Sequence, residues 1–85
     1  MEPMQTSTTT ISDLASLPAG TRGIIHTIGV GHGLARRLAS LGLTEGAELT
    51  VLQNYGSGPL LILVRGARVA IGRGQARQIL LAVMR

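Results

Sequence analysis

The stretch ARRLASLGLTEGAEL, Ala35 to Leu49, encodes a helix, a stop, a turn and a strand in fifteen positions. With Leu34 just ahead of it, Leu38 and Leu41 recur at i, i+4 and i+7, which puts three leucines on one helical face. Arg36, Arg37 and Ser40 fall off that stripe and stay in water. Gly42 stands where a helix ends on a left-handed residue, a conformation glycine adopts without a Cβ clash. With Gly42 as the first residue past the cap, Leu43 and Leu38 form the apolar pair of a Schellman motif. Thr44-Glu45-Gly46 then turns the chain, and Glu48-Leu49-Thr50-Val51 alternates polar and apolar as a half-buried strand does. The spacing predicts a helix from about Leu34 to Leu41 that feeds directly into a strand from about Ala47 to Gln53.

Outward from this stretch the remaining elements are short. Pro18-Ala19-Gly20 signals a turn that introduces a strand over Arg22 to Ile28, and Gly29-Val30-Gly31-His32-Gly33 is a glycine-rich connector into the helix. Asn54-Tyr55-Gly56-Ser57-Gly58-Pro59 is a loop built of chain breakers. It hands over to a strand over Leu60 to Val64. Arg65-Gly66-Ala67 is a tight connection, so Arg68 to Ile71 is expected to pair back as a hairpin. Gly72 to Ala76 has room for one helical turn, and Gln78 to Val83 is a closing strand. Five short strands and one inserted helix predict a mainly β fold, a small barrel whose closure removes exposed edges.

Eighty-five residues allow one domain, near the small end of what a single core stabilises. The boundaries read as a flexible N-terminal tail over 1–10, polar and threonine-rich, and one barrel domain over 11–85. Apolar residues make up 45% of the chain, yet Phe and Trp are absent and Tyr55 is the only aromatic, so the core must be Leu, Ile, Val and Ala. No cysteine is present, which removes disulfides and thiolate metal sites and is compatible with a reducing compartment. No apolar run approaches the twenty or so residues of a spanning helix. The start, MEPMQTSTTT, lacks the basic and apolar regions of a secretory signal.

In this order and spacing the motifs resemble the small ferrous iron transport protein A (FeoA) family. The resemblance rests on the LGLTEGAEL run with two arginines before it, on the leader SDLASLPAGTRGIIHTIG (Ser12 to Gly29), and on PLLILVRGARVAIGRGQARQILLAV (Pro59 to Val83). It implies an SH3-like five-stranded barrel and a cytoplasmic bacterial protein. It also implies an accessory or regulatory role beside FeoB, the membrane GTPase transporter of ferrous iron. Two alternatives stay open: a relative of the C-terminal SH3-like domain of iron-dependent repressors, and a basic barrel that binds nucleic acid.

The residues themselves offer little for catalysis. The carboxylates are Glu2, Asp13, Glu45 and Glu48; Glu2 lies in the tail and the last two flank one turn. No pair converges on a substrate and no nucleophile–base arrangement stands out, so the chain is read as non-catalytic. The glycine connector lacks the third glycine of a dinucleotide fingerprint, Leu34 standing in its place, and the P-loop lysine is missing as well. His26 and His32 are the only strong metal ligands. His26 shares a strand face with Ile24 and Ile28 and reads as partly buried, whereas His32 sits in the glycine loop. Two histidines fall short of the four ligands of a closed zinc site. No cofactor is therefore required, and a weakly bound divalent transition metal is the most these residues suggest.

Net charge is +4, and every positive side chain is arginine. Single-strand nucleic-acid binders stack bases on aromatic platforms, and proline-rich ligands dock in aromatic grooves; one tyrosine builds neither. That leaves a protein-interaction module. Arg36 and Arg37, beside the apolar stripe of the inserted helix, are the first candidates for partner contact, and Tyr55 at a loop tip is the second. A homodimer stays open.

Overall fold

Where the strand-forming residues alternate, they sort cleanly by face. In the computed structural model, which describes residues 10–29 and 31–84, the elements run β1 (Thr10–Asp13), a 3-10 turn (Leu14–Ser16), β2 (Arg22–Ile28), α1 (His32–Ser40), β3 (Glu48–Gln53), β4 (Leu60–Val64), β5 (Ala67–Ile71), α2 (Arg73–Ala76) and β6 (Ile79–Val83). The side chains of His32 and Leu34 also lie outside what is described. All pairings are antiparallel, and the strand order is β1-β6-β2-β3-β4-β5.

One buried cluster draws on five of these strands: Ile25 from β2, Leu49 and Val51 from β3, Leu60, Ile62 and Val64 from β4, Val69 and Ile71 from β5, and Ile79 and Leu81 from β6. A sheet in which five of six strands bury one face against the same cluster must curl around it. Leu14, Leu17 and Ala76 close one end, where α2 packs against the 3-10 turn. Leu38 and Leu43 complete the core from α1 and its cap. Aromatic side chains contribute nothing to this core, as the composition required.

Gly23 lets β2 and β6 approach closely. A Cβ there would lie 2.8 Å from Leu81 Cδ2 and 3.0 Å from the Ala82 carbonyl oxygen. In the β4–β5 hairpin the turn residues Arg65 and Gly66 both have positive φ, 51° and 79°, the two-residue arrangement whose twist suits flanking strands.

The expected mainly β, SH3-like fold is present, with two differences. Six strands form, not five: Thr10–Asp13 pairs with β6, Thr10 against Val83 and Asp13 against Leu80. Thr10 thus belongs to β1 and not to the expected tail, whose other residues lie outside those described. Neither is the ladder closed: among the described residues β1 and β5 do not pair, so both remain edges. The helix and the other strands begin and end within two residues of the expected positions.

Candidate interaction surface

Helix α1 enters where β2 and β3 stop pairing. Their register pairs Arg22 to Ile24 with Thr50 to Glu48, and Ile25 extends it into the turn before β3, donating to the Ala47 carbonyl at 2.9 Å and accepting from the Gly46 N–H at 2.8 Å. Leu38, buried to 2% exposure, fixes the helix on the core. The stop follows the sequence closely. Gly42 has φ +93°, the Leu43 N–H donates to the Leu38 carbonyl at 2.9 Å, and the Gly42 N–H donates to the Ala39 carbonyl at 3.0 Å. These are the two bonds of a Schellman motif, and its apolar pair, Leu38 and Leu43, is buried. Leu41 departs from the expected stripe: it is the cap residue, 40% exposed, because the left-handed step at Gly42 sends Leu43 inward in its place.

The opposite side of α1 is wet. Arg36, Arg37 and Ser40 are exposed, and the Ser40 hydroxyl donates to the Arg37 carbonyl at 2.6 Å. Neither guanidinium has a carboxylate partner among the described residues, where the one ion pair is Arg22 with Glu48 at 3.7 Å across β2 and β3. Arg65 reaches the same end of the molecule from the β4–β5 turn. Its side chain lies so close over Gly42 that a Cβ on the glycine would fall 2.7 Å from Arg65 Cδ. Ala39, Leu41, Thr44, Arg65 and Ala67 line a shallow groove between the helix end and this hairpin.

Tyr55 is 78% exposed at the tip of the β3–β4 loop. Strand β3 leads away from the α1 end toward this tip, about 20 Å for its six residues. The structure therefore places Tyr55 at the far end of the strand from Arg36 and Arg37, and the candidate partner-binding residues do not form one patch.

His26 is exposed, not partly buried. The β2–β6 register slips between Ile25 and Thr27, leaving His26 as the extra residue of a β-bulge. The bulge breaks the alternation, so Ile28 turns toward the core while His26 stays outside with Ile24. The His26 Nδ1 lies 2.8 Å from the Thr27 hydroxyl. The His32 side chain lies outside those described. Among the described residues no group of three or more His, Asp or Glu converges as a metal site.

A polar network that sequence reasoning missed ties three segments together. Asn54 Nδ2 donates to the carbonyls of Ala15 (3.0 Å) and Leu17 (2.7 Å), and its Oδ1 accepts from the Gly56 N–H (3.1 Å) and from Arg73 Nη2 (2.8 Å). Arg73 also donates to the Gly58 carbonyl at 3.0 Å and the Ala15 carbonyl at 3.2 Å. The Asn54-to-Gly56 bond is a local Asx turn and had a signal in the loop composition. The reach of Arg73 across the fold had none.

No helix among the described residues is long and apolar enough to cross a membrane. The FeoA domain family model matches residues 13–83. A Methanocaldococcus jannaschii protein provisionally named Fe(2+) transport protein A is 39% identical over 67 residues, 79% of this chain and 80% of its own length. A crystal structure of an iron uptake regulatory protein, FeoA, superposes with a TM-score of 0.83 at 36% identity, over 88% of this chain and all (100%) of that one. Stenotrophomonas maltophilia FeoA, crystallised with zinc and described as a prokaryotic SH3-domain protein, gives a TM-score of 0.72 at 27% identity, over 86% of this chain and 95% of that one. A manganese-dependent transcriptional repressor shares the fold, with a TM-score of 0.79 at 23% identity over 94% of this chain and 45% of the repressor. The chain belongs to the FeoA family of ferrous iron transport proteins.

Proposed function

We propose that this protein is a non-catalytic accessory of ferrous iron uptake that binds the cytoplasmic part of a FeoB-type membrane transporter, with Arg36 and Arg37 as the principal contact. Family membership supplies the transport system. The observation that carries the contact is the division of labour on α1. Leu38 and the cap at Leu43 hold the helix, while two adjacent arginines stand exposed without a carboxylate partner among the described residues. Guanidinium groups suit bidentate binding of carboxylates on a protein partner, and iron in this reading is the transporter's cargo, needing no resident metal here. A DNA-binding partner domain, as in the repressors, draws only on shared fold, and fold does not carry function.

The test is an Arg36→Ala, Arg37→Ala variant measured twice. Thermal unfolding should barely move, since exposed substitutions usually change folding free energy by within about ±0.5 kcal/mol. Affinity for the transporter's cytoplasmic domain, or iron uptake in cells lacking the native copy, should fall. Unchanged binding and uptake would make α1 a cover for the core alone and pass the contact to Tyr55 and its loop.

A further inference from the structure

The sheet ends at β5, and this edge is open. Strand β5 pairs only with β4, from Val64 against Ala67 to Leu60 against Ile71. A two-residue turn makes Val64 and Ala67 the first hydrogen-bonded pair of the hairpin. Ala67, Val69 and Ile71 therefore spend their N–H and C=O groups on β4, and those of Arg68 and Ala70 point away from the sheet. No backbone or side-chain group among the described residues takes up these outward groups. Arg68 and Ala70 are exposed while Val69 and Ile71 are buried, and the strand holds no proline.

The charge on the strand itself is of one sign. Between Val64 and Ile71 the charged residues are Arg65 and Arg68, with no acidic residue; Glu48 approaches only at the turn end, in a groove it lines with Arg65 and Gly66. Arg65 stands in the turn at one end of β5 and Arg68 within it. A charged side chain on an edge strand discourages pairing with neutral or like-charged strands, a second copy of this one included. The same charge favours an acidic strand, because opposite charges across a strand pair attract.

We propose that the outer edge of β5 accepts an extended acidic segment of a partner protein as a seventh strand. Its backbone bonds to the N–H and C=O groups of Arg68 and Ala70. Its carboxylates lie on the solvent face against Arg68, and its alternate apolar residues continue the core face beside Val69 and Ile71. This surface is separate from Arg36 and Arg37 and does not depend on the transporter being the partner.

The experiment titrates the 15N-labelled full chain with a synthetic heptapeptide alternating valine and glutamate, and with a second in which lysine replaces glutamate. The acidic peptide should shift and protect the Arg68 and Ala70 amides while leaving the already bonded Val69 and Ile71 amides little changed. The basic peptide should not bind. Ala70→Pro deletes an outward N–H that the β4 ladder does not use, and should weaken binding by at least about tenfold. Arg68→Glu, which keeps the backbone, should weaken the acidic peptide about fivefold to tenfold and admit the basic one. Binding mapped elsewhere, or unaltered by Arg68→Glu, overturns the proposal even if Ala70→Pro fails to fold. Protection of the same amides by self-association without peptide would overturn it too, making a second copy the occupant.

Discussion

Replacing Gly42 by alanine tests the element that organises α1. The glycine sits at φ +93°, where an L side chain costs about 1–2 kcal/mol. Its new Cβ would also fall 2.7 Å from Arg65 Cδ and 3.3 Å from Arg65 Nε, so the arginine must leave its rotamer at about 0.5–1.5 kcal/mol. Against these, alanine restricts the unfolded chain and returns about 0.4–1 kcal/mol. The net is a loss of about 2 kcal/mol within bounds of about 0.5–3 kcal/mol, the central value being roughly 8–16 °C in Tm for a domain of this size. Unfolding is best followed by far-UV circular dichroism, since the chain has no Trp and its single Tyr55 is already exposed. The two costs separate in a double-mutant cycle. In an Arg65→Ala background the contact is gone and Gly42→Ala should cost only the backbone share, about 1 kcal/mol. An unchanged Tm for Gly42→Ala would refute the left-handed cap. Disappearance of the whole cost in the Arg65→Ala background would refute backbone strain as its source.

Asn54→Ala removes two donors to the Ala15 and Leu17 carbonyls and one acceptor from Arg73, and should destabilise by about 1–3 kcal/mol in urea unfolding. A loss below about 0.5 kcal/mol would mean that water replaces these bonds freely. Binding of single-stranded DNA or RNA should be weak and strongly salt-dependent, because bases find one tyrosine to stack on; a sub-micromolar complex at physiological salt would displace the protein-partner reading. Zinc or ferrous ion should move the exposed His26 ring resonances only at concentrations well above that of the protein. Stoichiometric binding abolished by His26→Ala would establish a metal site at His26, although no group of three or more ligating side chains gathers among the described residues.

Much of this fold was legible because local and global signals agree. The i, i+4, i+7 leucines, Gly42 and the alternation after Gly46 each specify an element by themselves, and the observed cap carries both expected hydrogen bonds. What escaped reading depended on partners distant in the chain. Strand β1 is four residues, TISD, without a strong alternating pattern, and it forms because β6 offers it an edge. The exposure of His26 does not follow from strand alternation, because a bulge shifts the period by one residue and no local signature marks that slip. Leu41 failed to join the core because the helix ended one residue earlier than the stripe suggested. The exposure of the candidate contact residues was legible in the sequence, and their layout was not. Loop composition exposes Tyr55, but only the strand topology separates it from Arg36 and Arg37.

Arginine has several roles in this chain, and the surroundings of each decide which. Arg73 gives its donors to three neutral acceptors on the Gly58 and Ala15 carbonyls and Asn54, so its planar head works as a clamp between a loop, the 3-10 turn and α2. Arg22 shares an exposed carboxylate, an arrangement of small energetic consequence at the surface. Arg65 lies over a helix cap, where its stem covers Gly42 just past the carbonyl end of α1, the end of the helix dipole that favours cations. Arg36, Arg37 and Arg68 have none of these attachments among the described residues. Folding makes little use of their charge. Removing them should therefore leave stability almost intact, and whatever is lost then belongs to a partner.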